Sequence, residues 1–498
     1  MARHFPDFPT FLTRAATHTC IPVYRQLLAD RLTPVAAFDV LGRDAHAFLL
    51  ESVVGGERIA RHSFLGGNPV LVYSCRDGVA TVDRPYLPPE SHRTTDPLGD
   101  LARLLPAVRF YRDPALPTFT GGLVGFAGYD TVRYYEAEKL AAAPPDDRRL
   151  PDLQFGLYMD LVAFDHVDKT LKVVANALVR DPADAQRAYQ EACARVDAIV
   201  SRLQQPLTSS IGEADPSAPV TLHYESNLTQ AAYESAVRQG LQYIRAGDIF
   251  QFVPSQRLRV RSSAHAFDVY RALRIVNPSP FMFYLKSPSC TLVGSSPEIL
   301  CRVQDGIVTS RPLAGTRRRG ATEAEDKRLE QELLSDPKDR AEHIMLVDLH
   351  RNDVGRVAEP GTVQVSECMT VERYSHVMHI SSNVTGRLWA GMTAFDALRV
   401  SLPVGTVSGA PKIRAMQIID EVEPTRRGPY GGAVGYFDFS GSTDTCIALR
   451  TIVHHGGDLY DLQAGAGVVA DSIPASEYEE TMNKARAMLK AVELASRL

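Results

Sequence analysis

The chain has a single tryptophan, Trp389, against 19 tyrosines and 19 phenylalanines in 498 residues. Composition alone does not explain that scarcity. Cysteine is sparse too: there are seven, an odd number, with no C-x-x-C pair. This excludes a disulfide framework and a cysteine zinc site, and fits a reduced, cytoplasmic protein. A basic surplus is missing as well. The 54 basic and 59 acidic side chains leave a formal net charge of -5, which argues against nucleic acid as a partner. No apolar run reaches the roughly 18 residues needed to span a bilayer, so no membrane partner is expected. The N-terminal MARHFPDFPTFL lacks the apolar core of a signal peptide. What remains, 45% apolar and 23% charged residues, is the make-up of an ordinary globular chain with length enough for a large core.

The clearest break is QQPLTSSIGEADPSAPV, rich in Ser, Pro and Ala. It reads as a linker over residues 206–222, dividing the chain into 1–205 and 223–498. Strand-like runs are frequent, at residues 35–41, 67–73, 157–164, 172–178, 249–260 and 281–285. Many are joined by short turns rather than helices. This predicts an α+β fold with large, mostly antiparallel sheets. The stretch 141–149 reads as a surface loop, and 183–203 as an amphipathic helix behind Asp181 and Pro182.

Three further helices bear on chemistry. One starts at Asn227 or Thr229, carries the apolar line Tyr233, Val237, Leu241 and Ile244, and stops at Gly247. A second opens at Ser335-Asp336-Pro337 and presents Glu342 and His343. The third opens at Ser472-Ile473-Pro474. On it Glu477, Glu480 and Lys484 share one face, while Tyr478, Met482, Ala485 and Leu489 form an apolar one. Two carboxylates a turn apart suit a hard cation such as Mg²⁺. On spacing alone a solvated face with a Glu480–Lys484 pair is favoured. The glycine clusters match neither a phosphate loop nor a dinucleotide fingerprint: Pro411 separates Gly409 from Lys412, and Gly465-Ala466-Gly467 lacks a third glycine. They suit close backbone approach to a small anionic ligand instead. Glu298 follows a strand, and could serve as a general acid in a dry pocket. His379 and His376 lie in a strand-like run, where a histidine is more often structural than catalytic.

Ten segments, taken in order, resemble the chorismate-utilising enzymes across residues 225–498: AGDIFQ, GSSPE, RPLAGTRRRG, DRAEHIMLVDLHRNDVG, RYSHVMH, GTVSGAPKIRAM, RGPYGGAVGY, ALRT, QAGAGVV and EYEETMNKA. TPVAAFDVL, LLES and GGLVGFAGYDTVRYYE extend the likeness into the first half, towards the anthranilate-forming, component I branch. The resemblance implies a β-sandwich flanked by helices, with 1–205 regulatory and partner-docking and 223–498 binding chorismate. Two positions separate the branches. Members that add water carry lysine where this chain has Gln251, a neutral amide that is no base. Members that make aminodeoxychorismate often carry a nucleophilic lysine where Ala314 stands. Both differences point to direct addition of ammonia. They argue against the nearest alternatives, aminodeoxychorismate synthase and isochorismate or salicylate synthase. The complete acidic set argues against a non-catalytic, tryptophan-sensing subunit. Phe252 departs from the small β-branched residue common after the glutamine, and is expected to alter packing only.

The resemblance also implies roles. Mg²⁺ is held by Glu342 and Glu480, with Glu477 through water. Thr406, Tyr430, Arg450, Lys484 and the backbone N–H groups of Gly465 and Gly467 hold the substrate. Glu298 donates a proton, His379 assists loss of pyruvate, and Gln251 faces the attacking ammonia. A separate glutamine amidotransferase subunit supplies that ammonia, in a heterotetramer with two copies of each chain. Tryptophan inhibits, touching Leu50, Glu51 and Ser52, the run Asn277, Pro278, Ser279, Pro280, Phe281 and Met282, and also Val434, Tyr436 and Cys446. A tryptophan-making enzyme gains from sparing that residue, which offers a reading of the lone Trp389.

Overall fold

The computed structural model describes residues 3–53, 61–206, 212–213, 215–374 and 377–497. Two large sheets dominate it. One has 11 strands, in the order Cys20–Leu28, Thr170–Leu178, Asp160–Asp165, His62–Gly67, Ala47–Glu51, Phe281–Lys286, Thr291–Ser296, Thr451–His454, Leu459–Gly465, Ser255–Arg261 and Tyr224–Ser226. The other, of 12 strands, is centred on Ile299–Gln304, Thr443–Ile447, Ala433–Asp438, Gly122–Ala127 and Leu153–Tyr158, in that order. Every pairing between these strands is antiparallel.

The sheets face each other through one apolar layer. Phe48, Val174, Phe283 and Leu292 of the first meet Val124, Phe126, Tyr158 and Val434 of the second. Phe48 meets Tyr158 edge-on at 4.7 Å. The outer face of the first sheet is covered by helices Phe8–Ala15, Pro34–Leu41, Ala185–Leu203, Ala266–Val276 and Pro474–Ala495. That of the second lies under Pro97–Leu104, Ala394–Ser401 and part of Pro337–Gly355. Strand Thr170–Leu178 shows the consequence: Val173 and Ala175 face helices while Val174 faces the other sheet, so it reads as an unbroken apolar run. This is the expected helix-flanked sandwich. Both sheets draw strands from both sides of residues 206–222, for Leu50 pairs with Phe283 and Phe126 with Val434.

Several local expectations need correction. Residues 35–41 are helical, within Pro34–Leu41. Thr33 caps that helix by accepting from the Ala36 N–H, and Pro34 sits at its first position, signals that outweigh the β-branched residues. Its buried Pro34, Ala37, Phe38, Val40 and Leu41 leave little helical period to read. Three long strand-like runs are each two elements. The chain turns at Asn68, which has a positive φ of 52°, changes sheet near Met159, and breaks at Val253-Pro254. Stretch 141–149 is irregular as expected, yet its Arg148 side chain is only 4% exposed. Among the described residues no helix is long and apolar enough to cross a membrane.

Candidate active site and a second cavity

Three helix starts position the site. Thr229 caps Gln230–Ala246 by accepting from the Ala232 N–H, and Gly247 ends it in the left-handed region at φ 84°. Asp336 accepts from the N–H groups of Lys338 and Asp339 and opens Pro337–Gly355, with Pro337 first. The last helix, Pro474–Ala495, turns Ala485 and Leu489 into the core and leaves its acidic face towards an open cavity.

That cavity measures about 870 Å³. It is lined by Gln251, Glu298, Glu342, His379, Thr406, Tyr430, Arg450, Gly465, Gly467, Glu477, Glu480 and Lys484. The catalytic, substrate and metal residues expected from the sequence are therefore brought to one place. His376 lies outside the described residues. His343 does not line the cavity: it is fully buried, and its Nε2 lies 2.7 Å from the Ser382 hydroxyl.

On one side stands the acid. Glu298 is 3% exposed, and burial pushes its carboxyl up to about 8, while the Thr406 hydroxyl, the Leu313 N–H and Arg450 pull it down. Thr406 Oγ1 donates to Glu298 Oε1 at 2.9 Å. A carboxyl so placed keeps its proton at neutral pH and can give it away. His379 Nδ1 lies 2.9 Å from the Gly315 carbonyl oxygen. A carbonyl only accepts, so Nδ1 carries the hydrogen and Nε2 keeps its lone pair. Burial lowers the His379 pKa, favouring this neutral ring.

The other side is crowded with carboxylates. Burial and the charges of Asp339 and Glu480 raise Glu342; burial and Glu480 raise Glu477. Lys484 pairs with Glu480 at 2.7 Å and donates to the Gly465 carbonyl at 2.9 Å. Gln251, 3% exposed, donates from Nε2 to Glu342 Oε1 at 3.3 Å. Glycine is required at Gly465, where a Cβ would come 2.9 Å from the Pro254 carbonyl, and at Gly467 a Cβ would come 2.9 Å from Gln251 Nε2 and displace that amide. Arg450 projects from a left-handed backbone, φ 43°, and burial lowers its pKa. Such a conformation in a non-glycine residue persists where surrounding contacts dictate it.

Among the described residues no three His, Cys, Asp or Glu side chains form a metal cage. Burial, with the charge of Glu480, raises Glu342 and Glu477, and carboxylate oxygens gathered in this way suit a hard divalent cation that takes its other ligands from water and substrate. Sequence reasoning missed Lys338, Asp339, Gln463 and Asn483, which also line the cavity. Lys338 and Asp339 sit in the first turn of the helix bearing Glu342, three to four residues before it, which is a signal that could have found them.

A second cavity, about 270 Å³, opens between the sheets. Leu50, Glu51, Ser52, Pro280, Phe281, Met282, Val434, Tyr436 and Cys446 line it, as grouped from the sequence. Asn277 lines the larger cavity instead, and Ser279 is buried against Ser295, whose Oγ lies 2.8 Å away. Pro278 joins the two. The Glu51 carboxylate is engaged elsewhere, accepting from Tyr270 at 2.5 Å and pairing with Arg274 at 3.0 Å. The Ser52 hydroxyl is buried with no hydrogen-bond partner. Arg61 and an Arg302–Asp444 pair at 2.8 Å add charge that the sequence reading did not anticipate, and His62, its pKa lowered by burial, adds a neutral ring.

A sandwich of two long antiparallel sheets with a carboxylate-rich cavity at its strand ends is the architecture to which the comparisons also lead. The sequence pattern of the chorismate binding enzymes matches residues 80–490. The chain belongs to the chorismate-binding enzyme family. It is 47% identical to anthranilate synthase component 1 of Pseudomonas putida, over 97% of this chain and 98% of that protein. It is 44% identical to anthranilate synthase component 1 of Acetivibrio thermocellus, covering 99% of each. The crystal structure of anthranilate synthase component I from Streptococcus pneumoniae TIGR4 superposes with a TM-score of 0.76 at 38% identity, covering 86% of this chain and 92% of that one.

Proposed function

We propose that the protein converts chorismate and ammonia to anthranilate, pyruvate and water. The observation that carries this reading is the pair of positions Gln251 and Ala314. Both line the cavity, and neither offers the lysine that hydration or covalent capture of chorismate would use. Ammonia needs no base to attack, so a neutral amide suffices there.

Ammonia adds to ring C2 while the C4–O bond breaks, and Glu298 protonates the departing hydroxyl to release water. The new ammonium loses a proton to solvent. In the second half C2 loses its proton, and the free Nε2 of His379 is the candidate to accept it. The ether C–O bond then breaks, the enolpyruvyl carbon gains a proton, and pyruvate leaves an aromatic ring. Arg450, Tyr430, Lys484 and the backbone at Gly465 and Gly467 hold the substrate's two carboxylates. Glu342 and Glu480, with Glu477 through water, would hold Mg²⁺, which when bound supplies Lewis-acid stabilisation of charge on the ring carboxylate.

None of the seven cysteines lines this cavity, which supports a separate glutamine amidotransferase subunit as the ammonia source, in a cytoplasmic heterotetramer of two plus two. The smaller cavity suits feedback inhibition by tryptophan. Its walls are apolar and aromatic, and the Ser52 hydroxyl awaits a partner. The experiment is direct: purified protein, chorismate, Mg²⁺ and an ammonium salt above pH 8 are expected to produce anthranilate fluorescence. A folded, Mg²⁺-replete sample that makes none overturns the reading.

A further inference from the structure

Arg427 lies behind the cavity wall and is 2% exposed. Its Nε donates to Glu423 Oε2 at 2.9 Å, and its Nη2 to Oε1 at 2.5 Å. Two further N–H groups reach backbone: Nη1 donates to the Val407 carbonyl and Nη2 to the Val253 carbonyl, each at 2.6 Å. The guanidinium also packs 4.5 Å from the Tyr129 ring centroid and 5.7 Å from that of Tyr430.

The two carbonyls belong to separate segments, and each lies next to a group that faces the reaction. Val407 follows Thr406, the hydrogen-bond donor to Glu298. Val253 lies two residues past Gln251. The Val253 N–H also donates to the Ser408 carbonyl at 3.1 Å. Glu423 extends the frame, since its Oε1 accepts from the Ser255 N–H at 2.7 Å and from the Ser255 hydroxyl at 2.9 Å. The next residue, Gln256, donates to Thr481 Oγ1 at 2.6 Å, on the helix of Glu477 and Glu480. A buried charge pair gains little over well-packed apolar residues of the same volume, so neutralising Glu423 is not a sufficient account. A lysine ammonium could neutralise it equally. The four bonds made here, to both carboxylate oxygens and to two carbonyls, need more donors than the three of an ammonium and suit the planar fork of a guanidinium.

We propose that Arg427 is a positioning residue that sets the separation between the Thr406–Glu298 acid and the Gln251 side of the cavity. It acts through those groups and touches no substrate. The inference deepens the amination reading and rests on it.

The test compares wild type, Arg427→Lys, Thr406→Val and the double variant, with ammonium as nitrogen source. Misplacing the acid is expected to lower the kcat of Arg427→Lys about ten- to a hundredfold. The KM for chorismate should change less than kcat, because Arg450 and Lys484 are not tied to Arg427 and only Tyr430 packs against it. The double variant should be no slower than the slower single one, since both changes act on the same contact. A wild-type kcat in Arg427→Lys, or losses that multiply, overturns the proposal. Should the lysine variant fail to fold, Arg427→Met with Glu423→Met leaves no lone charge. The same loss of kcat in that folded protein supports positioning, and a wild-type kcat overturns it. An inactive wild type sinks the amination reading instead. The inference is then judged from the crystal structure of Arg427→Lys: Thr406 Oγ1 displaced from Glu298 supports it, and an unmoved 2.9 Å contact overturns it.

Discussion

The two cavities draw on different strands of the same sandwich and differ as sharply in chemistry. The larger gathers Glu298, Glu342, Glu477 and Glu480 around one space that Arg450 also lines, with Lys484 paired to Glu480. Its carboxylates repel one another, and burial raises three of them. The smaller is walled by Leu50, Phe281, Met282, Val434 and Tyr436, and its one inward carboxylate-bearing residue from the LLES segment has its charge satisfied elsewhere, on Tyr270 and Arg274. One site stores unfavourable electrostatics that a cation and a dianion would relieve. The other offers apolar space, a lone hydroxyl and charges already paired, Arg61 with Asp165 and Arg302 with Asp444. The first is built to do chemistry and the second to be filled.

Changes that flatten this contrast should be felt in proportion to the charge they remove. Glu480→Gln takes a charge from the larger cavity and should abolish anthranilate formation while the fold survives, since its side chain is 49% exposed. Circular dichroism beside the fluorescence assay checks both halves. Glu298→Gln keeps the shape but gives no proton, and should cost about 10²- to 10⁴-fold in kcat. The wild-type rate, divided by free ammonia concentration, should fall as pH rises through about 8, where Glu298 loses its proton. A profile flat well above that value would remove Glu298 from the acid's role. The stability tied to this raised carboxyl follows the same sense. It is complete below the ordinary 4.5 and is lost as pH rises through about 8. In the smaller cavity, Ser52→Ala removes one hydrogen bond and should raise the half-inhibiting tryptophan concentration roughly three- to tenfold. Unchanged inhibition would dissociate tryptophan from that cavity. The smallest effect concerns packing. At Gly240 an added Cβ would come 1.8 Å from the Phe252 ring, so Gly240→Ala should cost about 1–3 kcal/mol in a denaturant melt. Phe252→Val should relieve it.

That last pair shows where reading the sequence ran out. Phe252 was visible as a departure from the family, and its effect is one of packing as expected. Its counterpart Gly240, twelve residues earlier on a helix, gave no local sign, because the clash exists only once helix and strand are packed. Helix starts were legible at Thr229 and Asp336-Pro337, where capping is local chemistry. The run PVAAFDVL was misread because burial on several sides erases the helical period. The residues that share the larger cavity were grouped through motif order, since spacing on the last helix alone favoured a solvated face. Lys338 and Gln463 were missed because neither carries a motif of its own; only the fold brings them to the cavity.

The pairing of Leu50 with Phe283 and of Phe126 with Val434 has a consequence for how the chain is made. During synthesis the early strands leave the ribosome long before their neighbours exist. Ala47–Glu51 must wait, one edge open, for Phe281–Lys286, and Gly122–Ala127 for Ala433–Asp438, which comes off near the end. Contacts so distant in sequence slow folding and expose unpaired strands to other chains. The first 205 residues expressed alone would keep those open edges and aggregate. A gene for this protein thus resists being cut at its own linker: the two stretches are translated in series and become a structure only together.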